Sequence, residues 1–228
     1  MAVNLKLLAA QIGGMAVVFA LGLFLGAGTI AWPAGWAFMI LFFGFTIALS
    51  LWLVRNNPGL LTERQTGIGK ADQKGWDKVW FVLTSIGFYS WLVVMALDAV
   101  RFHWSQVPGW LQVVGALILI SSFYVFYMTF RENSFLSPAV RVQTDRGQMV
   151  VSTGPYHYVR HPMYAAFILY AVGTSLLLGS WFGLLVGLLI VLGVARRAVM
   201  EERTLREELQ GYSDYMRQVK YRLIPGVW

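Results

Sequence analysis

Long apolar runs separated by shorter polar segments form the dominant pattern of this chain. A helix needs about 20 apolar residues to cross the roughly 30 Å hydrocarbon core of a bilayer. Four runs have about this length, namely Leu7 to Ile30, Trp36 to Val54, Val79 to Leu97 and Trp110 to Phe130. We predict one transmembrane helix over each of them.

A fifth apolar block extends from Met163 to Ala195 and is interrupted at Gly179 and Ser180. It is too long for one crossing but fits a tight hairpin of two short helices. We expect the second of these helices to continue past Arg196 into water. The sequence therefore predicts an all-α, polytopic integral membrane protein with about six transmembrane helices, of which the last two form a helical hairpin.

The composition agrees with a protein that lies in lipid. Of 228 residues, 57% are hydrophobic and only 13% are charged, whereas soluble chains carry about 25% charged residues. The chain has no cysteine, which excludes disulfides, thiolate metal sites and cysteine nucleophiles. Any chemistry must use oxygen and nitrogen groups or a cofactor.

The positions of the basic residues predict the orientation in the membrane. If the N-terminus is cytoplasmic, 17 of the 18 Lys and Arg residues fall on the cytoplasmic side, and only Arg101 falls on the far side. Such an asymmetry is a positive-inside signal, so we predict that both termini are cytoplasmic. Because topology accounts for the net charge of +7, we expect no nucleic-acid partner.

The chain divides into an apolar part and a part with polar segments. Residues 1–130 form four predicted transmembrane helices that serve as scaffold and as lipid-side access for a substrate. Residues 131–228 contain a loop, the hairpin, a polar helix and a polar end segment. The polar segments Arg131 to Arg160 and Arg196 to Trp228 flank the hairpin, so both should meet at the cytoplasmic face.

The most informative polar stretch is GPYHYVRHPMY, from Gly154 to Tyr164. Pro162 suits the first turn of a helix, which places Arg160 and His161 at a helix entrance. Backbone N–H groups at such an entrance favour an anion, and Arg160 can bind a carboxylate or phosphate with two parallel hydrogen bonds. The alternative is simple anchoring of Tyr and Arg at the membrane interface.

A second polar stretch contains the adjacent acids Glu201 and Glu202. Neighbouring residues on a helix point about 100° apart, so one of the two can face inward. The alternative is a solvated helix with i,i+4 ion pairs, such as Arg197 with Glu201. We expect no metal site, because His157 and His161 precede the helix that begins at Pro162 and do not share a helix face.

These motifs together closely resemble the membrane methyltransferases, which include isoprenylcysteine carboxyl methyltransferases and phospholipid N-methyltransferases. The resemblance covers roughly Asn133 to Trp228. It rests on the GPYHYVRHPMY stretch and on four further elements: Gly173-Thr174, RxxxEExxL over Arg197 to Leu205, YxxY at Tyr212 and Tyr215, and Arg-x-x-Pro at Arg222 to Pro225. One departure is Ala166, where the family often has Gly.

The resemblance implies an S-adenosylmethionine site that faces the cytoplasm and releases S-adenosylhomocysteine. The residues that it implies for the cofactor pocket are Gly154, Pro155, Tyr156, His161, Tyr164, Glu201 and Glu202. The helix entrance or Arg160 can receive the methionine carboxylate, and a Glu can bind the ribose hydroxyls or the amino group. The fold class and the enzyme class are then those of an integral membrane methyltransferase.

The predicted reaction is in-line methyl transfer to a hydrophobic or lipid-like acceptor that enters from the bilayer. A carboxylate acceptor needs no base, whereas an amine acceptor needs one, with Glu202 or His161 as candidates. Arg197 or Arg222 is a candidate for positioning an anionic acceptor. The sequence leaves open whether the acceptor is a carboxylate, an amine, a thiol or another group, and it leaves the oligomeric state open.

Two other functions compete with this one. An NADPH-dependent membrane reductase of the steroid-reductase type has a similar hydrophobic fold and a similar HPxY segment, but the intact RHPxY and EExxL motifs favour the methyl donor. A non-enzymatic lipid-binding or transport protein is the second alternative. Against it, no predicted span interior carries a charged residue of the kind expected along a transport pathway.

Overall fold

The computed structural model describes residues 3–66, 69 and 73–228. It contains helices α1 (Leu5–Ala20, continued by a π-helical turn Leu21–Leu25), α2 (Pro33–Asn56), α3 (Pro58–Thr66), α4 (Gly75–Ala96, continued by a π-helical turn Leu97–Arg101), α5 (Gly109–Glu132), α6 (Pro162–Leu178), α7 (Trp181–Glu208) and α8 (Tyr212–Gln218). Short 3₁₀ turns cover Thr144–Arg146 and Gly154–His157. No strand is present within the described residues, so the predicted all-α class is confirmed.

Five helical segments are long and apolar enough to cross a membrane, with mean hydropathies of 1.8 to 2.3. They are Leu5–Leu25, Pro33–Asn56, Gly75–Arg101, Gly109–Glu132 and Trp181–Glu208. The remaining apolar helix, α6, is shorter, at 17 residues. The structure thus confirms a polytopic helical protein, while a sixth crossing by α6 stays a prediction.

The turn between α6 and α7 lies where the sequence interrupts its last apolar block. Gly179 adopts a left-handed conformation with φ +80°, which glycine reaches at little cost. Ser180 then caps α7, because its hydroxyl accepts a hydrogen bond from the Gly183 N–H at 2.7 Å. These two residues end one helix and start the next within a single turn.

Helices α5 and α6 approach each other closely at Gly115 and Gly173. A Cβ atom on Gly115 would lie 2.5 Å from the Leu177 nitrogen, and one on Gly173 would lie 2.6 Å from the Leu119 nitrogen. Since no side chain fits in either gap, the two backbones are in direct contact, as in other membrane helix pairs that pack through small residues. This contact fixes the position of α6, whose first turn carries Tyr164.

Aromatic residues fill the centre of the helix bundle. Phe19, Phe38 and Trp91 are almost fully buried, and the Trp91 indole N–H donates to the Gly183 carbonyl at 2.6 Å. Large apolar side chains such as Leu185 and Leu189 are exposed at 61% and 67% on α7. An exposed apolar helix surface of this kind is stable against lipid but not against water.

The polar segments of the second half of the chain meet at one end of the bundle. The backbone N–H groups of Arg160 and His161 donate to the carbonyls of Tyr221 and Arg222, both at 2.9 Å. Residues 219–228, here called the tail, therefore pack against the entrance to α6. The predicted meeting of the two polar segments is seen, and the chain order of the helices places Arg101 at the opposite end.

Candidate active site

Glu202 of α7 is the carboxylate at the centre of the polar end. Its Oε1 accepts from Arg160 Nε at 2.6 Å, and its Oε2 accepts from Arg222 Nε at 2.7 Å. His161 Nε2 lies 3.3 Å from Oε1, without the angles of a hydrogen bond. One buried carboxylate thus joins α7, the entrance to α6 and the tail.

The charges around Glu202 keep it ionised. The apolar part of α7 ends before Arg196, so Glu202 lies in the polar extension, outside the membrane-spanning part. Burial raises the pKa of Glu202, but its contacts with His161, Arg160 and Arg222 outweigh burial and hold the pKa at about 2. A carboxylate with so low a pKa is a poor base near neutral pH and a strong anchor for cations.

Arg160 is also bound by the backbone of the tail. Its Nη1 donates to the carbonyls of Val219 at 2.8 Å and Lys220 at 2.7 Å. Among the described residues, its Nη2 has no hydrogen-bond partner. The guanidinium is therefore rigidly placed, with one nitrogen available to a ligand.

Glu201 has a different environment from Glu202. Its Oε2 accepts a hydrogen bond from the Tyr164 hydroxyl at 2.6 Å, and no described residue donates to its Oε1. The Tyr164 ring stacks on the His161 ring with a centroid distance of 5.5 Å. The two adjacent acids therefore differ in role. Glu202 binds the guanidinium groups of Arg160 and Arg222, whereas Glu201 has one carboxylate oxygen without a donor among the described residues.

Tyr156 lies in the 3₁₀ turn before α6 and accepts hydrogen bonds at its side-chain hydroxyl and at its backbone carbonyl. Its hydroxyl accepts from Asn133 Nδ2 at 2.8 Å, and its carbonyl accepts from the Tyr215 hydroxyl at 2.7 Å. Burial raises the pKa of the Tyr156 and Tyr215 hydroxyls, so both are neutral. Gly154 begins the turn with φ +57°, where a Cβ atom would lie 2.4 Å from Glu132 Cγ.

A cavity of about 90 Å³ lies between the loop after α5, the entrance to α6, α7 and α8. We call it the polar cavity. The predicted site residues that line it are Tyr156, Arg160, His161, Tyr164 and Glu201. Gly154, Pro155 and Glu202 do not line it, nor do Arg197 and Arg222. Glu202 and Arg222 lie behind the lining and hold Arg160 and the tail in place.

A second cavity of about 390 Å³ lies among α1 to α7, and we call it the apolar cavity. Its lining is largely aromatic and includes Phe19, Phe42, Phe88 and Phe167. The residues common to both cavities are Met163 and Tyr164. Two side chains in the first turn of α6 therefore separate a polar chamber from an apolar one.

Arg197 lines the apolar cavity and is paired with a residue that sequence analysis did not identify. Its Nε and Nη2 lie 3.0 and 2.9 Å from Asp77 Oδ1, and Asp77 is fully buried. The Arg197 guanidinium also lies over the Trp80 ring at 4.4 Å. Arg197 therefore pairs with Asp77 of α4 and not with Glu201, the i,i+4 partner considered from the sequence. Arg197 and Asp77 are 120 positions apart, so no local sequence pattern indicates their contact.

Arg64 and Asn133 are further residues at these cavities that the motifs did not indicate. Arg64 comes from the short helix α3 and lines the apolar cavity. Asn133 follows α5, lines the polar cavity and bonds Tyr156. The only signal for Asn133 was its position at the start of the resemblance, and Arg64 lies outside it.

Comparison with known proteins finds similarity to membrane methyltransferases. A family model described as Phospholipid methyltransferase matches residues 110–210, which include α5, α6 and α7. The Protein-S-isoprenylcysteine O-methyltransferase of Schizosaccharomyces pombe is 33% identical over 92 residues, or 40% of this chain. That match spans only 38% of the yeast relative.

The fold is similar to that of a solved structure over nearly the whole chain. The structure of the eukaryotic intramembrane Ras methyltransferase, isoprenylcysteine carboxyl methyltransferase, superposes with a TM-score of 0.52 and 18% identity. The superposition covers 96% of this chain and 75% of that one. The resemblance that the motifs indicated is therefore confirmed: the chain is similar to isoprenylcysteine and phospholipid methyltransferases over part of its length, and it is an integral, multi-pass membrane protein.

Proposed function

We propose that this protein is an enzyme that transfers a methyl group from S-adenosylmethionine to a hydrophobic or lipid-like acceptor. The observation that carries the proposal is the shared wall of Met163 and Tyr164 between the two cavities. A charged, polar donor and an apolar acceptor need chambers of opposite character that meet at the reacting atoms. The names of the relatives suggest an isoprenylcysteine-like carboxylate or a phospholipid amine as the acceptor.

The polar cavity fits the donor in the groups that it offers. Tyr212 lines it, and the buried hydroxyl of Tyr212 has no hydrogen-bond partner among the described residues. Buried polar atoms are normally satisfied, so this hydroxyl favours a polar ligand in the cavity.

Charged groups at this cavity match the two ends of an amino acid. Arg160 Nη2 is available for the methionine carboxylate, and Glu201 Oε1 is available for the ammonium or for ribose hydroxyls. When bound, the cofactor supplies a methyl group on a sulfonium, which is already activated for transfer. The protein has to orient the acceptor, stabilise the bound groups and exclude water.

Glu202 acts in this proposal as a positioning residue. It holds Arg160 beside the cavity and fixes Arg222, and its low pKa argues against a role as base. An amine acceptor would leave His161 as the base candidate, since its ring lines the polar cavity and stacks on Tyr164. A carboxylate acceptor would require no base.

The proposed membrane arrangement follows from the uneven distribution of Lys and Arg residues along the sequence. Helix α6 crosses as a sixth, short span, and its 17 residues extend about 25 Å at 1.5 Å per residue. Both termini and the polar cavity then face the cytoplasm, the side that receives the basic residues. The acceptor reaches the apolar cavity from the bilayer.

A transfer assay on the purified protein in lipid nanodiscs tests the proposal. Methyl-labelled S-adenosylmethionine is incubated with wild-type protein and a total lipid extract, and label is followed in the organic phase. We expect label transfer by wild type and by Glu207→Gln, an exposed change on the same helix, and its loss in Glu201→Gln. Equal transfer by Glu201→Gln and wild type would contradict the assignment of this site.

A further inference from the structure

The polar end of the apolar cavity carries two arginines. Arg64 of α3 and Arg197 of α7 line the cavity beside Tyr164, while the rest of the lining is mostly aromatic and aliphatic, with Thr84 and Ser85 as uncharged polar members. Along α4, its lining extends from Trp80 to Tyr89, and the nine helical steps between these residues span about 13 Å. A chamber with a cationic end and a long apolar interior matches an amphiphile with a negatively charged head.

The charge of Arg197 is already compensated within the protein. Asp77 accepts from its Nε at 3.0 Å, and the Arg197 Nη2 donates to the Pro138 carbonyl at 2.7 Å. Asp77 is fully buried and also accepts from Gln73 and from the Val140 N–H, each at 2.9 Å. Arg197 is therefore held as part of a closed polar network.

Arg64 has no such counter-charge among the described residues. Its Nη1 donates to the Leu136 carbonyl at 3.0 Å, and its guanidinium lies over the Phe130 ring at 4.8 Å. Across residues 3–66, 69 and 73–228, no carboxylate forms an ion pair with it. Burial lowers the pKa of Arg64 to about 10, and the positive charge of Arg197 adds to this effect. At neutral pH the guanidinium stays charged.

Arg64 is a half-buried cation beside an apolar chamber and has no ion-pair partner within the part of the chain that the structure describes. Such a cation favours an anionic ligand, because pairing offsets its loss of hydration. The other arginine suggested for an anionic acceptor, Arg222, is bound to Glu202 behind the polar cavity. We propose that Arg64 binds the anionic group of an amphiphile whose apolar chain occupies the apolar cavity. This inference rests on the proposed function, in which that cavity takes the acceptor.

Arg64 would then determine which lipids the enzyme accepts. A guanidinium can bind a carboxylate or a phosphate through two parallel hydrogen bonds, so the head of the amphiphile carries one of these groups. The residue lies outside the range matched by the family model, residues 110–210. Its role is therefore a property of the first half of the chain, which the family comparison does not cover.

The test compares three amphiphiles with the same apolar chain on the full-length protein in nonionic detergent. Binding of decanoate, decyl phosphate and decanol is measured by calorimetry for wild type, Arg64→Gln, Arg64→Lys and the exposed control Arg206→Gln. We expect wild type and Arg206→Gln to bind at least one anion about tenfold or more tightly than decanol. Arg64→Gln should lose this preference, and Arg64→Lys should keep part of it.

The three wild-type measurements decide the inference even if a variant does not fold. Equal affinity of wild type for the two anions and decanol, or an unchanged anion preference in Arg64→Gln, would overturn it. A preference for decanoate alone identifies a carboxylate head, and one for decyl phosphate alone identifies a phosphate. Binding of S-adenosylhomocysteine to the same samples separates the two proposals, since it depends on the polar cavity and not on Arg64.

Discussion

Glu202 and Arg160 form a buried ion pair in which Oε1 lies 2.6 Å from Nε. The two residues are 42 positions apart, one on α7 and the other before α6. Because Arg222 binds the second carboxylate oxygen at 2.7 Å, the pair also holds the tail. This carboxylate, together with the Val219 and Lys220 carbonyls, therefore holds the Arg160 cation beside the polar cavity.

Glu202→Gln should lower the stability of the protein, because it leaves Arg160 and Arg222 without their counter-charge. Breaking a buried ion pair from one side costs about 3–5 kcal/mol. Thermal unfolding in detergent measures the change, with Glu207→Gln as the matched exposed control. The folded pKa of Glu202 lies below its usual 4.5, so its contribution is present above about pH 4.5 and is lost as pH falls toward 2.

That contribution amounts to about 3 kcal/mol at neutral pH for a pKa shift of this size. Wild type and Glu207→Gln should therefore lose stability on acidification more steeply than Glu202→Gln does. An identical pH dependence in all three proteins would show that Glu202 is not the anion that the structure indicates.

Tyr164→Phe should weaken binding of S-adenosylhomocysteine while leaving the wall between the cavities intact. The substitution removes only the hydroxyl that donates to Glu201 at 2.6 Å, so Glu201 is no longer fixed in orientation. This bond within the protein is worth about 1.5–3 kcal/mol. Because the ligand feels its loss only through the orientation of Glu201, we expect the affinity to fall by a smaller factor, about 3–10-fold. Calorimetry checks this, and Tyr124→Phe on the exposed side of α5 should bind like wild type.

Ser85→Phe should obstruct the apolar cavity without affecting the cofactor. Ser85 lines that cavity and donates to the Phe81 carbonyl four residues earlier. Ser121 makes the same i−4 bond on the exposed face of α5, so Ser121→Phe is a matched control. We expect Ser85→Phe to raise the KM for the lipid acceptor with an unchanged Kd for S-adenosylhomocysteine. A KM equal to that of Ser121→Phe would place the acceptor elsewhere.

Gly173→Ala should destabilise the bundle, because its Cβ atom would lie 2.6 Å from the Leu119 nitrogen. Overpacking of this kind costs about 1–3 kcal/mol. Gly44 on α2 has open space around it, so Gly44→Ala should leave the unfolding temperature unchanged or raise it slightly. Equal unfolding temperatures of the two variants would contradict the close contact between α5 and α6.

Hydrophobic patterning predicted the helices because each lipid-facing span must be apolar over a fixed length. The break at Gly179 and Ser180, the start of α6 at Pro162 and the extension of α7 past Arg196 all agree with the structure. In α6 the pattern is less decisive, since a 17-residue helix is short for a span. The separate helix α3 was not predicted, because its polar composition gives no apolar stripe.

The candidate active site was only partly predictable, because some of its contacts join helices that are distant in the sequence. Motif spacing brought Arg160, His161 and Tyr164 together with the paired acids, because all of them lie close to helix ends that the hairpin joins. It did not reveal that Asp77 binds Arg197 or that Arg64 faces the apolar cavity. These contacts join α3, α4 and α7, and no local pattern records which helices are neighbours.

Calorimetric binding of S-adenosylmethionine, S-adenosylhomocysteine and NADPH to the detergent-purified protein tests the central claim most directly. We predict that wild type binds the first two and not NADPH, and that Glu201→Gln loses this binding while Glu207→Gln keeps it. Binding of NADPH alone would contradict the account and favour a membrane reductase. Silence towards all three ligands in both detergent and lipid nanodiscs would also contradict it and favour a lipid-binding or transport protein.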